Sequence, residues 1–210
     1  MANFKEIFQD TLVFEGGFQD NPKDTGNYCN GKLIGTYRGI SAVGYRDYFK
    51  KCPTPNDLKS LSENQVYTIA KLNYWDKIKG DKIKNQAVAH FIFDSVWGGY
   101  GFLDVRKAIN STYGKKLLQE NNNWGLSDYE LNLINNANQK KLFTEIYNFR
   151  TKRLSNNPEF SKGWLRKLDT IYNKYVKEIY SYGKDNLLGI SLIFVGILGV
   201  SYLLYKKYKK

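Results

Sequence analysis

Glu15 and Asp24 lie nine positions apart, and Gly16-Gly17 directly follow Glu15. These two carboxylates are suited to acid–base chemistry. Glycosidases break a sugar linkage with two carboxyl groups, one that protonates the leaving oxygen and one that stays ionised. The proton donor must keep its proton near neutral pH, and an apolar environment achieves this by raising the pKa of the carboxyl group. The pattern predicts Glu15 as a general acid, with Asp24 stabilising the transition state or orienting the attacking water.

An amphipathic helix would deliver Glu15 to such a site. Apolar residues recur at spacings of three and four along one face and predict a helix over 3–14; they are Phe4, Ile7, Phe8 and Leu12. Gly16 and Gly17 would end this helix and leave the floor of a cleft without side chains, so that a bulky substrate could approach the backbone. The alternative interpretation takes Glu15 as an ordinary residue at a helix end and Asp24 as a turn former.

Further motifs follow in order along the chain. The segments concerned are Leu12–Asp24, Thr36–Ser41, Tyr74–Asp76, Phe93–Gly99 and Phe160–Arg166. Together they resemble glycoside hydrolase family 108 and its attached peptidoglycan-binding region. That family consists of phage- and bacteria-derived lysozymes that cleave the peptidoglycan backbone. The resemblance implies a mainly α, lysozyme-like α+β fold, with a small β-hairpin region beside the cleft.

The resemblance also assigns roles to residues. By position, Glu15 matches the catalytic glutamate of the family, and Asp24 and Thr36 match partners that position water. Contacts with the substrate are expected at Gly16, Gly17, Phe18, Tyr37 and Trp97. This chain departs from the family pattern by extra residues within Asn27–Gly35.

The leading functional prediction is hydrolysis of the β-1,4 bond between N-acetylmuramic acid and N-acetylglucosamine by a membrane-anchored endolysin of a phage-type lysis programme. Two alternatives stay open. One is a catalytically inactive, membrane-tethered cell-wall-binding protein, because the extra residues separate Asp24 from Thr36. The other is a cationic, holin-like membrane disruptor, because the chain combines a net charge of +12 with a hydrophobic tail.

Composition and single residues narrow the choice of partners. A basic surface attracts anionic partners, among them peptidoglycan carboxylates, anionic lipids and nucleic acid. No nucleic-acid-binding motif is evident, so nucleic acid is not an expected partner. Cys29, Cys52 and His90 lack the spacing of metal ligands, and no metal or cofactor is expected. They are expected to pack in the core, with a Cys–His pair and a Cys29–Cys52 disulfide as open alternatives.

The other elements follow from local patterns. A capping box at Ser62 predicts a helix whose face includes Val66, Ile69 and Leu72 and which runs towards Trp75. The apolar run 87–97 predicts a central helix buried on all sides. Within it, Asp94 is expected to form a cap or an ion pair. Turns and a small β-hairpin are predicted over 18–41, and further helices over 103–110, 127–137, 139–154 and 159–182.

The C-terminal segment predicts a membrane anchor. Leu187–Tyr205 is a run of 19 residues without a charge. As a helix it would be about 28 Å long, close to the thickness of a bilayer core. The lysines in 206–210 favour a cytoplasmic tail and hence a soluble domain facing outward from the inner membrane. No signal peptide is evident, so the orientation stays open.

Domain boundaries are predicted from these features. Residues 1–85 form a lysozyme-like catalytic region, and 86–182 form a helical region resembling a peptidoglycan-binding domain that packs against it. A linker over 183–186 leads to the transmembrane helix.

Overall fold

The computed structural model describes residues 1–156 and 161–181. The helices of this part are α1 (Phe4–Leu12), α2 (Ala42–Phe49), α3 (Pro55–Lys59), α4 (Glu63–Ala70), α5 (Gln86–Trp97), α6 (Leu103–Tyr113), α7 (Asp128–Asn136), α8 (Gln139–Ser155) and α9 (Ser161–Ser181). The strands are β1 (Phe18–Gln19), β2 (Tyr28–Cys29), β3 (Lys32–Leu33), β4 (Thr36–Tyr37) and β5 (Ile40–Ser41). The fold is mostly helical with little sheet and fits the predicted lysozyme-like α+β class.

Contacts divide the chain into a compact unit, Met1–Ile171, and a second unit that begins at Tyr172. The described part of the second unit is the end of α9. The predicted division at residue 85 stays a prediction. The predicted linker, transmembrane helix and basic tail, over 183–210, lie outside the described residues. Among the helices that the structure describes, none has the length and apolarity to cross a bilayer.

The first helix is built as its sequence predicts, but it ends earlier. Asn3 caps α1 by accepting a hydrogen bond from the backbone N–H of Glu6, and Phe4, Ile7 and Phe8 are buried on one face. The helix ends at Leu12, before the predicted residue 14. A further turn, closed by a 3.0 Å bond from the Glu15 N–H to the Leu12 carbonyl, brings the chain to Glu15. The carboxylate therefore stands beyond the helix end.

The second predicted helix changes its register at its end. Val66 and Ile69 are buried in α4, as predicted. The chain then continues as a π-helical turn, Lys71–Trp75, in which the Asp76 N–H bonds to the Lys71 carbonyl at 2.9 Å. The extra residue in this turn rotates the buried face. Leu72, predicted to lie on that face, is therefore 47% exposed, whereas Trp75 is buried.

Helix α5 is the centre of the core, as the apolar run predicts. Every residue from Ala87 to Trp97 is buried. The ring of Phe93 packs between the rings of Phe4 in α1 and of Trp97. The distances between ring centres are 5.5 Å to Phe4 and 5.7 Å to Trp97. On the other side, Phe91 stacks on Phe143 of α8 at 4.8 Å. Burial of each such ring stabilises the fold by about 1.5–3 kcal/mol, which fixes the helix that ends at the cleft.

Two hairpins occupy the region in which one was predicted. Strands β1, β4 and β5 form an antiparallel sheet, and β2 pairs with β3. Both tight turns have positive φ at two successive residues, Asn30-Gly31 and Arg38-Gly39, which is the geometry of type I′ turns. The β2–β3 hairpin consists of the extra residues. Its two ends meet where the N–H groups of Ile34 and Gly35 bond to the Asn27 carbonyl, at 2.8 and 3.1 Å.

A disulfide joins this hairpin to the helical part. Cys29 of β2 is bonded to Cys52, which follows α2, so the pairing that the sequence leaves open is formed and the Cys–His alternative is excluded. Closing a loop between residues 23 positions apart stabilises the folded state by about 3 kcal/mol in the chain-entropy model. His90 is buried within α5, as expected.

Some of the remaining helices were predicted from the sequence and others were not. The predicted helices over 103–110, 127–137 and 139–154 correspond to α6, α7 and α8, and the described part of the last predicted helix is α9. No element was predicted over 42–59, where the structure has α2 and α3. Helix α3 opens with a capping box between Thr54 and Asp57 and with Pro55 at its first position, so its signal was available.

Candidate active site

A cleft of about 1060 Å³ brings together four of the eight predicted site residues. These are Glu15, Asp24, Thr36 and Trp97. The other cleft residues come from the chain between α1 and α2, the π-helical turn, the end of α5 with the glycine turn that follows it, α8 and the first turns of α9. The size is that of a site for a large ligand, such as an oligosaccharide.

The other four predicted residues lie outside the lining of the cleft. Phe18 and Tyr37 face each other in the register of β1 and β4. The ammonium group of Lys59 lies 4.3 Å from the centre of the Phe18 ring, and the Arg38 guanidinium lies 5.5 Å from that of Tyr37. Gly16 and Gly17 border open space. Their predicted contacts with a substrate stay a prediction.

The carboxyl group of Glu15 is held by one of its two oxygens. Oε1 accepts a hydrogen bond from the indole N–H of Trp97 at 2.8 Å and a second from the ammonium group of Lys167 at 3.0 Å. Oε2 accepts none from the residues that the structure describes. The side chain is 19% exposed and lines the cleft, so it is largely desolvated yet within reach of a ligand.

Trp97 is fixed by packing on three sides. It stacks on Phe93 and meets Tyr74 edge-on, with a 5.0 Å distance between ring centres. The third neighbour is the backbone of Gly39, where a Cβ atom would overlap the indole ring.

Burial, followed by the charges of Asp47 and Glu15, raises the pKa of Tyr74 to about 12, so Tyr74 is neutral near pH 7.

Behind Glu15 lies a chain of buried charges. Lys167, whose side chain is 13% exposed, is 2.9 Å from Oδ1 of Asp94, and Arg150 is 2.8 Å from Oδ2 of Asp94. Burial alone would raise the pKa of Asp94, but Lys167 and Arg150 outweigh it and lower that pKa below its usual range. Burial likewise opposes the charge of Lys167, but Asp94 and Glu15 raise its pKa. The predicted ion pair of Asp94 is therefore confirmed.

The side of the cleft that holds Asp24 is a network of hydrogen bonds without a cationic partner among those described here. Asp24 caps the turn at Thr25–Asn27 by accepting from the Gly26 N–H at 2.9 Å. Its Oδ2 accepts from the amide of Gln19 at 3.2 Å. Gln19 and the fully buried Asn27 also exchange two hydrogen bonds between their side-chain amides. Asn27 is therefore the centre of this network.

The hydroxyl group of Thr36 belongs to the same network. It donates to Oδ1 of Asn27 at 2.6 Å. Because the β2–β3 hairpin leaves and returns at Asn27, the extra residues do not displace Thr36 from Asp24's surroundings. Asn27 was not predicted as a site residue, because its role depends on the hairpin that leaves it and returns to it.

Helix α9 supplies residues that the sequence analysis did not assign to the site. Gly163, Trp164, Arg166 and Lys167 all line the cleft. Trp164 meets Tyr100 edge-on, with 5.4 Å between the ring centres. Trp164 belongs to a motif of the family resemblance, but nothing local to Lys167 distinguishes it from the other lysines of α9.

Comparison with known families identifies the first part of the chain. Residues 8–99 match the family model described as Glycosyl hydrolase 108. This segment is a glycosyl hydrolase 108 domain. The chain therefore carries a glycoside hydrolase, and the catalytic candidates Glu15, Asp24 and Thr36 lie within the matched segment. The match ends at Gly99, so the peptidoglycan-binding region predicted over 86–182 stays a prediction.

Solved structures support the same fold over more of the chain. The structure of Brucella abortus SagA is similar, with a TM-score of 0.65 and 20% sequence identity, over 83% of this chain and 94% of that chain. At this level of identity the likeness establishes a shared fold. A comparison with curated proteins finds no match. The glycosyl hydrolase 108 domain is thus part of a fold that extends well beyond residue 99.

Proposed function

We propose that this protein is a peptidoglycan hydrolase of the muramidase type, which cleaves the β-1,4 bond between N-acetylmuramic acid and N-acetylglucosamine. One observation carries the proposal. In a glycosyl hydrolase 108 domain, the carboxyl group of Glu15 is fixed at a long cleft that Asp24 and Thr36 also line.

Glu15 is the proton donor in this proposal. Its Oε1 is tied to Trp97 and Lys167, so the carboxyl group has a fixed orientation at the cleft. It protonates the glycosidic oxygen as the bond to the anomeric carbon breaks, and the sugar acquires oxocarbenium character. A positioned acid of this kind accelerates a reaction by about 10²- to 10⁴-fold.

Asp24 and Thr36 hold the attacking water. The hydroxyl proton of Thr36 is used in the bond to Asn27, so Oγ1 of Thr36 can act towards water only as an acceptor. The carboxyl oxygens of Asp24 are acceptors as well. A water that donates to both oxygens keeps a lone pair for the anomeric carbon, which is the orientation needed for attack.

Helix α9 provides features that suit a glycan with acidic peptides. Trp164 lines the cleft with an indole ring, and aromatic rings of this kind bind the apolar faces of sugars. Arg166 is exposed and lines the same cleft. A guanidinium group at this place fits the carboxylates that peptidoglycan stems carry, and the net charge of +12 attracts the same anionic polymer.

Digestion of purified peptidoglycan tests the proposal. Glu15→Gln removes the transferable proton but keeps an oxygen that can accept from Trp97 and Lys167, and it is expected to lower the rate by at least about 100-fold. Glu63→Gln is the matched control, because Glu63 is exposed on α4 and lies outside the cleft lining. Mass analysis of the parent's products is expected to give new reducing ends on N-acetylmuramic acid.

Two results would overturn this proposal. A Glu15→Gln variant that digests peptidoglycan as fast as the parent would remove Glu15 from the reaction. A parent protein that binds sacculi without releasing reducing ends would favour the inactive wall-binding alternative.

We further propose that residues 187–205 anchor the enzyme in the inner membrane, with the soluble domain facing outward, as in a phage-type lysis programme. The uncharged run and the four lysines after it support the anchor. The Cys29–Cys52 disulfide supports the outward arrangement, because such bonds persist in oxidising compartments. Protease added to intact spheroplasts is expected to degrade the soluble domain; protection until the membrane is permeabilised would contradict this orientation.

A further inference from the structure

We propose that Lys167 is a positioning residue of the active site. Together with Trp97 it fixes Oε1 of Glu15, and this selects Oε2 as the oxygen that carries the transferred proton. The inference rests on the proposed role of Glu15 as the general acid. It extends the site to helix α9, outside the segment that matches the glycosyl hydrolase 108 family.

The two oxygens of Glu15 have different surroundings. Oε1 accepts from both Trp97 and Lys167, whereas Oε2 accepts from none of the described residues. An oxygen that already accepts from two N–H donors is a poor position for a proton, so the proton of the acid form resides on Oε2. Oε1 can then keep both of its hydrogen bonds. The contact with Lys167 is therefore compatible with acid catalysis, because the ammonium group can donate to the protonated carboxyl group as well.

Lys167 is itself held from behind. Asp94 lies 2.9 Å from its ammonium group, and Arg150 lies 2.8 Å from the other oxygen of Asp94. Both Asp94 and Arg150 are almost completely buried. A buried lysine without partners would be strongly destabilising, whereas here two carboxylates share it. The position of the Glu15 carboxyl group is thereby tied to α5, α8 and α9 together.

The charged and titratable groups that face Glu15 are few. Tyr74 approaches from the π-helical turn and is neutral near pH 7. Lys167 approaches from α9, with Asp94 and Arg150 behind it. Lys167 is thus the cation nearest to Glu15 among the described residues.

Steady-state kinetics on soluble peptidoglycan fragments test this inference. Lys167→Met is expected to lower kcat by about 10- to 100-fold, the loss that follows from one hydrogen bond to a charged group, while KM changes by less than about threefold. Lys167→Arg keeps the charge and should recover most of kcat. Lys162→Met is the control, because Lys162 is exposed on the same helix and lies outside the cleft lining.

The possible outcomes separate this inference from the proposed function. If Glu15→Gln is inactive but Lys167→Met keeps the parent kcat, the inference fails and the proposed function stands. If Glu15→Gln is active, the proposed function fails first. Should Lys167→Met melt too low for assay, Lys167→Gln replaces it, because its amide can still donate to either carboxylate. Its kcat must then fall below that of Lys167→Arg while KM stays close to the parent value, and a parent kcat overturns the proposal.

Discussion

The two sides of the cleft are built on different physical principles. The acid side consists of Glu15, Trp97, Lys167, Asp94 and Arg150, and it is a chain of buried or partly buried charges. The water side consists of Gln19, Asp24, Asn27 and Thr36, and it is a network of hydrogen bonds within one stretch of chain. Buried carboxylates need counter-charges, and here several elements supply them. An attacking water needs acceptors at a fixed distance, and a local turn with a hairpin can supply those.

This difference has consequences for stability. A buried charge that loses its partner has no water to replace it, so damage to the acid side affects the whole fold. The water side is partly open to solvent, and water can substitute for a lost hydrogen bond there. Damage to the water side should therefore reduce activity more than stability.

The largest effect is expected from Arg150→Met. The change leaves Asp94 buried with Lys167 as its one remaining cation, so the free energy of unfolding should fall by about 3–5 kcal/mol. Urea denaturation measures this loss. The control is Arg46→Met, which breaks the exposed pair with Asp47 and should cost less than about 1 kcal/mol. Equal losses in the two variants would contradict the view that burial makes the acid side essential to the fold.

A smaller effect is expected from Thr36→Val on the water side. The variant keeps the shape of the side chain but removes the acceptor for the water and one donor to Asn27. We expect kcat to fall about tenfold with a loss of about 1 kcal/mol in unfolding free energy. Thr36→Ser keeps the hydroxyl group and should retain most of the activity. A Thr36→Val variant with parent kcat would exclude Thr36 from water positioning.

The smallest expected effect is a change in how the free energy of unfolding depends on pH. Because the folded pKa of Asp94 is lowered, its ionisation contributes stability above the unfolded pKa of about 4, and this contribution is lost as pH falls through the folded value. The raised pKa of Lys167 contributes stability below the unfolded value of about 10.4, which is lost as pH rises through the folded value.

Urea unfolding between pH 5 and pH 2 measures the acid part of this response. The parent should lose stability over the range, and Lys167→Met should lose less, because Asp94 then has one cation fewer to lower its pKa. A steeper loss in the variant would contradict the assignment of Lys167 as a partner of Asp94.

Many of the helices can be predicted from the sequence, because their formation depends on residues that are close together in the chain. The spacing of Phe4, Ile7 and Phe8 predicts the buried face of α1, and the apolar run 87–97 predicts the buried α5. Where the structure differs from these predictions, the cause is also local. The π-helical turn has one extra residue, which rotates the buried face of the helix and exposes Leu72, and a period of 3.6 residues does not predict this.

Some residues of the candidate site could likewise be predicted from the sequence, and others could not. Glu15, Asp24 and Thr36 could be predicted from motifs, and the structure brings them to one cleft. The sequence could not decide whether Cys29 pairs with Cys52, because a distance across the fold determines a disulfide. The role of Asn27 was also hidden, since it depends on a hairpin that returns to the residue from which it departed.

The sequence by itself determined the helical class, the central buried helix and the residue types that do the chemistry, because spacing, caps and turn residues act over a few positions. Only the tertiary structure decided which groups hold the carboxyl group of Glu15. Lys167 meets Glu15 across 152 positions of the chain, and Trp97 meets it across 82. Such contacts exist because the end of α5 and the first turns of α9 both lie beside Glu15, and the packing of whole elements determines that arrangement.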